Sequence, residues 1–367
     1  MPVRIVLAGG FLGAGKTHLL FEAAQQLAAR GKRVGLITND QAPELVDTRF
    51  LELSQGAVRE VSGSCFCCNF GGFIDAILGL VQEQRAEIIM AEPVGSCTDL
   101  SATVVQPLKD QFGSHFVVAP LTVLVDPHRL TDLLEGRSAG LHPSAVYILR
   151  KQLEEADIIA ISKTDLLTRE QVEALKQRAA AVWPQAQVMT LSAKTGAGLE
   201  DWLQEVTTRK DAGKNMAQVD YDIYAQGEAV LGWLNATALL QGEAVDWDQW
   251  ARDLLEALSR RFDDLEAPVG HVKLMLQAGS KYVMGNLTGR RETISLRRSA
   301  GVGPEARLTL NARVQMTTEE LERIVLEELA RACGTGIQYE IEALQCLSPG
   351  YPQPTYRYDR VVLGNTG

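Results

Sequence analysis

The stretch from Gly10 to Thr17 reads G-F-L-G-A-G-K-T and matches the pattern G-x-x-x-x-G-K-[ST] at every fixed position. Residues 3–8 before it form a short apolar run typical of a buried parallel strand. After it, apolar residues recur at helical spacing up to residue 30. Strand, glycine-rich turn and helix are the context in which this pattern binds phosphate. The alternative is a glycine-rich turn without a ligand.

The residues of this loop have separate expected roles. Its glycines let backbone N–H groups and the following helix N-terminus approach phosphate oxygens. We expect Lys16 to reach the β- and γ-phosphates and to take part in catalysis, and the hydroxyl of Thr17 to bind Mg²⁺. The nucleotide-binding residues predicted from this region are Gly10, Gly13, Ala14, Gly15, Lys16, Thr17 and the adjacent His18.

Length, composition and charge restrict the classes of protein to which the chain can belong. Its 367 residues have room for two domains, and its hydrophobic content of 46% and charged content of 22% are ordinary for a globular protein. A net charge of −10 without a basic run argues against a nucleic-acid partner. Apolar stretches are too short for a membrane span, and the early first strand leaves no room for a signal peptide. We therefore expect a cytoplasmic protein.

Two acidic residues at the ends of further apolar runs are candidate Mg²⁺ ligands and catalytic residues. Asp40 follows a predicted strand at 33–38, although Asn-Asp is also a common turn sequence. Glu92 ends a predicted strand at 87–92, the Walker B position, although a strand end before a proline is the structural alternative. Gly95 could let a backbone N–H approach the γ-phosphate.

Three of the six cysteines lie within four residues, at Cys65, Cys67 and Cys68. They precede a predicted helix at 70–83, whose N-terminus would favour thiolates. Thiolates suit Zn²⁺, Cu⁺ or similar ions, and three protein ligands leave an open fourth position. The alternative is a set of small buried side chains. Cys97 is either a fourth thiol near this cluster or a buried side chain, and the second interpretation is favoured.

Two short motifs predict the base that the nucleotide carries. Residues 162–165 read Ser-Lys-Thr-Asp after a predicted strand, close to the N-K-x-D signature of GTPases. The carboxylate of Asp165 can accept two hydrogen bonds from guanine, whereas adenine lacks that donor pair. Lys163 would cover the base with its aliphatic stem. Ser192, Ala193 and Lys194 follow a later strand and would offer backbone N–H groups to guanine O6. GTP is therefore the expected nucleotide.

The alternation of strands and helices predicts the fold class. Residues 1–207 are expected to form an α/β domain, a mostly parallel P-loop NTPase sheet with helices on both faces and ligands at the carboxyl ends of its strands. Residues 41–50 lack periodicity and are expected to form a mobile switch segment. A linker at 208–218 and a smaller α+β domain at 219–367 follow. Its predicted strands lie near 229–240, 269–276, 281–287, 307–314 and 338–344, and its predicted helices at 246–262 and 317–333.

No catalytic constellation is evident in the second domain. His271 and Cys346 are assigned to its core or surface rather than to a site, and the proline-containing tail from Ser348 is expected to be extended.

The order of the motifs G-F-L-G-A-G-K-T, C-x-C-C, Glu-Pro-Val-Gly and Ser-Lys-Thr-Asp resembles the CobW family of P-loop GTPases over residues 1–207. The resemblance implies a GTP-hydrolysing metallochaperone that receives a thiophilic divalent metal, zinc first among them, and transfers it to a client metalloprotein. It implies Mg²⁺ as the ion of the nucleotide site and the three clustered cysteines as the zinc ligands. A homodimer formed in response to nucleotide is a further candidate assembly.

Two other functions remain open. The chain could be a GTP-gated escort of a metalloenzyme or corrinoid enzyme, with structural cysteines; it would then hydrolyse GTP slowly without a metal requirement. It could also be a small-molecule kinase, but kinases lack the pair of guanine motifs. No nucleic-acid or membrane partner is expected.

Overall fold

The first half of the computed structural model is built on a parallel sheet. The model describes residues 2–363 except 44, 55, 139 and 290–293, with only the backbone of residue 295. The strands of this sheet are β1 (Val3–Gly10), β2 (Val34–Asn39), β3 (Ala57–Val61), β4 (Ile88–Glu92), β5 (Phe116–Val118), β6 (Thr122–Val125), β7 (Ile158–Ile161) and β8 (Gln187–Thr190). They are ordered β3-β2-β4-β1-β6-β7-β8, and β5 pairs with the beginning of β1. All their pairings are parallel.

Helices cover both faces of this sheet. They are α1 (Lys16–Ala29), α2 (Val46–Leu51), α3 (Phe70–Gln84), α4 (Gln106–Phe112), α5 (Pro127–Leu134), α6 (Pro143–Glu155), α7 (Arg169–Val182), α8 (Leu199–Thr208) and α9 (Tyr221–Ala229). Phe73 of α3 and Ile148 of α6 belong to the core on one face, whereas Leu20 of α1 and Trp202 of α8 belong to the core on the other. Because the strands are parallel, the loops that follow them meet at one edge.

The second half forms an antiparallel sheet. Its strands are β9 (Gly232–Asp246), β10 (Val269–Ala278), β11 (Lys281–Leu287), β12 (Ser295–Ser299), β13 (Val302–Val314) and β14 (Ile337–Leu347), and its helices are α10 (Trp247–Asp264) and α11 (Thr318–Cys333). The strand order is β12-β11-β10-β13-β9-β14. Both helices pack on one face and enclose a separate apolar core. The predicted fold class, a parallel α/β domain with a smaller α+β domain, is confirmed.

Side-chain alternation gives the second sheet two different faces. On β10, Val272 and Leu274 belong to the core under the helices, whereas His271 and Lys273 point to the opposite side. Since successive strand residues face opposite ways, this opposite side carries polar residues of several strands. It lies against the nucleotide-binding half and forms one wall of the site described below.

The segment at 41–50 was predicted to be irregular and mobile, but part of it forms a helix. Residue 44 lies outside the described residues, and from Val46 the chain forms the short helix α2. Val46, Phe50 and Leu51 are buried there, and Phe50 stacks on Phe21 of α1 at 4.3 Å between ring centroids. Helix α2 has only six residues, so it contains too few apolar positions for a helical period to be recognised in the sequence.

The predicted strand at 229–240 begins later than expected. Residues 221–229 are helix α9, capped by the side chain of Asp220, and the strand starts at residue 232. Tyr224 of this helix is buried in the core of the first half. The short strands β3, β5 and β12 are further elements that the sequence pattern did not reveal. Strands of three to five residues give too little alternation to be recognised.

Two extended segments fasten the halves together. In the predicted linker at 208–218, the backbone N–H groups of Gly213 and Lys214 donate to the carboxylate of Asp157 at 2.6 and 2.9 Å. Asp157 directly precedes β7, so the linker is held against the first half. The tail from Ser348 has neither helix nor strand in its described residues, as predicted, and returns to the cysteine loop. The domain limits at 207 and 219 stay predictions. No helix within the described ranges has the length and apolar character of a membrane span.

Candidate nucleotide and metal sites

The phosphate loop connects β1 to α1 in the predicted arrangement. Gly15, at φ 94°, precedes the first turn of α1 in a left-handed conformation that favours glycine. Lys16 is buried, and its Nζ donates to the carbonyl oxygen of Gly10 at 2.8 Å. Burial lowers the pKa of Lys16 and the charge of Lys273 lowers it further, while Glu92 and Asp47 oppose this shift. The ammonium group is therefore held inside the loop, where phosphate would be bound.

Two carboxylates converge on the hydroxyl of Thr17. Its Oγ1 lies 2.7 Å from Oδ1 of Asp47 and 3.1 Å from Oε1 of Glu92. Oε2 of Glu92 is buried and has no hydrogen-bond partner among the described residues. Burial and the charge of Asp47 raise the pKa of Glu92 to about 7, against the lowering effect of Lys16 and Lys273. A hydroxyl and two carboxylates with an unpaired oxygen are a donor set that fits Mg²⁺.

Asp47 is a residue of this site that the sequence analysis missed. It lies on α2, and both of its carboxylate oxygens are 2.6 Å from Nζ of Lys273 on β10. Burial would raise the pKa of Asp47, but Lys273 and the hydroxyl of Thr17 lower it overall. No motif marked it, because an acid on an unrecognised short helix has no fixed distance from the phosphate loop.

Asp40 lies beside this group in a different environment. Its Oδ2 forms a buried ion pair with Nη2 of Arg313 at 2.7 Å, and its Oδ1 accepts from the backbone N–H of Gln41. Asp40 lines a small neighbouring cavity that also touches Lys16, Glu92 and Gly95. Its role as an Mg²⁺ ligand and catalytic residue therefore stays a prediction.

Gly95 packs directly against the phosphate loop. A Cβ atom at this position would lie 2.6 Å from Cδ2 of Leu12 and 3.2 Å from its backbone nitrogen. A side chain would therefore displace one of the two loops. This close approach is consistent with the predicted role of Gly95 near the γ-phosphate.

The residues predicted to bind guanine line the same cavity as the phosphate loop. The cavity measures about 340 Å³ and extends from Gly13, Gly15 and Lys16 to Ser162, Lys163, Asp165, Ser192, Ala193 and Lys194. Ser192 donates from its hydroxyl to Oδ1 of Asp165 at 2.6 Å. Burial would raise the pKa of Asp165, but this hydrogen bond and Lys194 lower it overall. Lys163, which lines this cavity, pairs with Asp126 at 2.8 Å.

The second sheet supplies a wall that the sequence analysis did not anticipate. The lining residues from this half are Lys273, Met284, Asn286, Thr288, Leu296 and Arg297. His18 also lines the cavity, and burial followed by the charges of Arg297 and Lys273 lowers its pKa to about 3. His271, which was assigned to core or surface, is buried and lines the smaller cavity beside Asp40. The available signal was the alternation of His271 and Lys273 with apolar residues along β10.

The three clustered cysteines come together in the loop between β3 and α3. Sγ of Cys67 lies 2.7 Å from that of Cys65 and 3.9 Å from that of Cys68, and the three atoms lie within 4.8 Å of one another. Cys65 and Cys67 are buried, Cys68 is partly exposed, and all three are free thiols. Hydrogen bonds from Cys67 and Cys68 hold the pKa of Cys65 well below its usual range. The arrangement therefore favours a thiolate and can chelate one thiophilic ion.

The side chain of Asn39 joins the end of β2 to the cysteine loop. Its Nδ2 donates to the carbonyl oxygens of Val61 and Ser64, both at 2.8 Å, and its Oδ1 accepts from the backbone N–H of Phe66 at 2.9 Å. Asn39 directly precedes Asp40 at the nucleotide site. One buried side chain thus connects the two sites.

Comparison with known proteins agrees with this arrangement. The family model described as the CobW/HypB/UreG nucleotide-binding domain matches residues 4–190, about half of the chain. The zinc chaperone YjiA of Escherichia coli (strain K12) is 27% identical over 193 residues, which are 52% of this chain and 58% of the relative. The zinc chaperone CobW of a Sinorhizobium species is 28% identical over 202 residues, 48% of this chain and 54% of the relative. The chain thus spans little more than half the length of these relatives.

Two metal complexes are among the solved structures that the comparison found. The Zn(II)-bound YjiA GTPase from E. coli covers 89% of this chain and 99% of its own, at 17% identity and a TM-score of 0.36. HypB from Helicobacter pylori in complex with nickel covers 60% of this chain and 92% of its own, at 16% identity and a TM-score of 0.41. From the match to its nucleotide-binding half, the chain belongs to the CobW/HypB/UreG family.

Proposed function

We propose that this protein is a GTP-hydrolysing metallochaperone that binds zinc, or another thiophilic divalent metal, at Cys65, Cys67 and Cys68 and transfers it to a client metalloprotein. The observation that carries this proposal is the clustering of three free thiols in a loop that Asn39 fastens to the nucleotide site. Membership of the family and the zinc chaperones among its relatives support the choice of zinc.

For nucleotide binding and hydrolysis, each part of the cavity has one proposed task. Lys16 contacts the β- and γ-phosphates, exchanging its present bond to Gly10 for phosphate oxygens. Thr17, Glu92 and Asp47 would hold Mg²⁺, with Asp40 as a further candidate, and the ion supplies positive charge that neutralises the phosphates. Lys273 places a second, partly buried ammonium beside the same group. Water attacking the γ-phosphate then yields GDP and phosphate.

At the other end of the cavity, Asp165 recognises the base. Its carboxylate, oriented by Ser192, accepts hydrogen bonds from N1–H and the 2-amino group of guanine. Asp165→Asn tests this assignment, because an amide presents a donor where guanine also presents one. We expect GTP binding to weaken by about 10³-fold or more and xanthosine triphosphate to bind better than GTP. Unchanged GTP affinity, measured by titration, would remove guanine from the proposal.

The proposed metal binding is tested by measuring the stoichiometry and affinity of zinc. Purified protein is expected to bind one zinc ion per chain, and Cys67→Ser to weaken that binding strongly, because Cys67 lies centrally between the other two sulfurs. Cys346→Ser, at a thiol of the second sheet, is the matched control and is expected to bind normally. If Cys67→Ser binds zinc as tightly as the control, the cysteines are not the site.

A second candidate function is a GTP-gated escort of a metalloenzyme or corrinoid enzyme with structural cysteines. The observation that favours it is the burial of Cys65 and Cys67, at 3% and 2% exposure, which restricts the access of a client. This function requires no metal. Full nucleotide-dependent activity on a partner after removal of zinc by a chelator would select it.

A further inference from the structure

A small cavity continues the nucleotide cavity beyond the phosphate loop. It measures about 20 Å³, which is room for one water molecule. Five residues line both cavities, namely Gly13, Lys16, Asp47, Glu92 and Lys273. Of the two cavities, the residues predicted to bind the base line only the large one, whereas His271, Asp40 and Gly95 line only the small one. The small cavity therefore lies beyond the phosphate-binding residues, on the side away from the base.

This position is the one that the attacking water of phosphoryl transfer has to occupy. In that reaction, the attacking oxygen and the leaving oxygen lie roughly in line through the γ-phosphorus. A γ-phosphate held by Lys16 would have its bridging oxygen on the side of the base and its opposite side toward the small cavity. A water in this cavity would thus lie opposite the leaving group, provided that polar groups of the wall hold it.

A polar side chain without a partner lines this cavity. His271 is 5% exposed, and its Nδ1 is buried and has no hydrogen-bond partner among the described residues. Leaving such an atom unpaired costs stability. Burial, followed by the charges of Lys273 and Arg313, holds the pKa of His271 well below its usual range. The imidazole is therefore neutral, and one of its two nitrogens can accept a hydrogen bond.

His271 has a fixed position relative to the phosphate loop. Arg129 of α5 donates to the carbonyl oxygens of Leu12 and Gly270 at 2.6 and 3.2 Å, and so joins this loop to β10. Gly270 packs so closely there that a Cβ atom would lie 2.8 Å from Cδ1 of Leu12. On the neighbouring strand β13, Arg313 is the register partner of His271. The imidazole thus needs no rearrangement to act on a bound water.

We propose that His271 is a catalytic residue of GTP hydrolysis, which orients the attacking water in the small cavity by accepting a hydrogen bond from it. This inference rests on the GTP hydrolysis proposed above. The water oxygen forms a bond to the γ-phosphorus while the bond from that phosphorus to the bridging oxygen breaks, and the electron pair of the broken bond leaves with GDP. Both protons of the water leave with inorganic phosphate, so the imidazole is neutral again after each turnover.

His271→Leu tests this role, because leucine fills a similar volume without a hydrogen-bond acceptor. We expect kcat for GTP hydrolysis to fall by about 10²-fold, while the affinities for GDP and for a non-hydrolysable GTP analogue stay unchanged. His271→Gln retains an acceptor and should recover part of the rate. Thr309→Val, at a buried polar residue of β13 that lines neither cavity, is the matched control. A His271→Leu rate equal to that of the control would overturn the assignment.

Aluminium fluoride bound with GDP tests the same contact without turnover. This complex mimics the transferring phosphate with a water opposite the leaving oxygen, and we expect His271→Leu to bind it about 10²-fold more weakly than the control does. Equal affinity for the complex would refute the contact with the water. A matching loss of affinity for GDP alone would contradict the proposal as well, because His271 would then support the phosphate loop. Failure of the proposed function would be seen in wild type, as no phosphate release from GTP, and would remove the inference with it.

Discussion

Lys273 is the residue of the second sheet that most directly affects the nucleotide site. Its side chain is partly buried, and its ammonium group contacts Asp47 within the group that includes Thr17 and Glu92. Burial lowers the pKa of Lys273, but Asp47 and Glu92 raise it overall, so Lys273 remains a cation. A fixed positive charge beside transferring phosphate stabilises the charge of the transition state.

We therefore expect Lys273→Met to reduce kcat for GTP hydrolysis by about 10²-fold. Lys273→Arg should recover part of the rate, because it restores the charge with a different shape. Phosphate release under saturating GTP measures both, and Lys281→Ala, at an exposed lysine of the adjacent strand, is the control. A Lys273→Met rate equal to that of the control would show that this charge has no part in hydrolysis.

Glu155 gives a prediction about pH and stability. It is fully buried at the end of α6, and burial raises its pKa to about 8, although the backbone N–H of Ser101 donates to it at 2.7 Å. The folded protein thus keeps a proton that the unfolded chain loses above the ordinary value of 4.5. Since the unfolded state then binds fewer protons, this group makes the free energy of unfolding fall as the pH rises from about 4.5 to 8.

Glu155→Gln is expected to remove this slope. Its free energy of unfolding relative to wild type should increase between about pH 5 and pH 8, because the amide mimics the protonated acid at every pH. Denaturant titrations at several pH values give the comparison. Parallel stability curves for the two proteins would show that Glu155 is ionised in the fold.

At the scale of elements, the end of β2 and the cysteine loop behave as one unit through Asn39. Asn39→Ala would remove the side-chain hydrogen bonds to the backbone groups of Val61, Ser64 and Phe66. We expect a loss of about 1–3 kcal/mol in stability, because the hydrogen bonds to Val61 and Phe66 are buried, and a zinc affinity that no longer responds to nucleotide. Asn215→Ala, which also removes a side-chain donor to backbone carbonyls but lies far from both sites, is the control.

A nucleotide response that survives in Asn39→Ala would assign the coupling to another contact between the two sites. Loss of zinc binding itself would mean that Asn39 determines the conformation of the cysteine loop rather than linking this loop to the nucleotide site. The two readouts, affinity and its dependence on nucleotide, therefore have to be measured together.

The elements that the sequence predicted correctly are those with a long pattern or a fixed motif. The strand–loop–helix at the phosphate loop and the strand ending at Glu92 could be placed without knowledge of the second half, and the roles of the motifs at 162–165 and 192–194 stay predictions. Asp47, Lys273 and His271 could not be found in this way. They meet only because α2, a helix of six residues, packs against a sheet whose Lys273 lies 226 residues after Asp47. Contacts of that kind depend on how the two halves dock, which local periodicity does not encode.

At the scale of the whole molecule, residues of the second sheet contact Asp40 and the segment that follows it. The tail after residue 348 contacts the cysteine loop. Arg313 pairs with Asp40, and Asn235 donates to the carbonyl oxygens of Ala42 and Pro43. The tail contributes Thr355, whose backbone N–H and hydroxyl donate to the carbonyl oxygens of Cys67 and Cys68 at 2.8 and 3.1 Å. Both sites are therefore enclosed by residues distant in sequence.

Removal of residues 348–367 is expected to expose the cysteine loop. The shortened chain would lack the hydrogen bonds of Thr355, the edge-to-face packing of Tyr356 on Phe70 and the ion pair of Arg357 with Asp99. We expect alkylation of Cys67 in the metal-free protein to accelerate several-fold, because local opening governs access to buried groups. Cys333, buried in the other core, should react at its wild-type rate. Equal Cys67 rates in the full-length and shortened chains would show that the tail is not a cover.

The central claim is that the state of the nucleotide changes how tightly the cysteine loop holds its metal. Zinc affinity of the full chain, measured by competition with a chelator in the presence of GDP and then of a non-hydrolysable GTP analogue, tests it most directly. The hydrogen bonds of Asn39 between the end of β2 and the cysteine loop predict that zinc affinity differs between the two nucleotides. Equal zinc affinity with the two nucleotides would contradict the account.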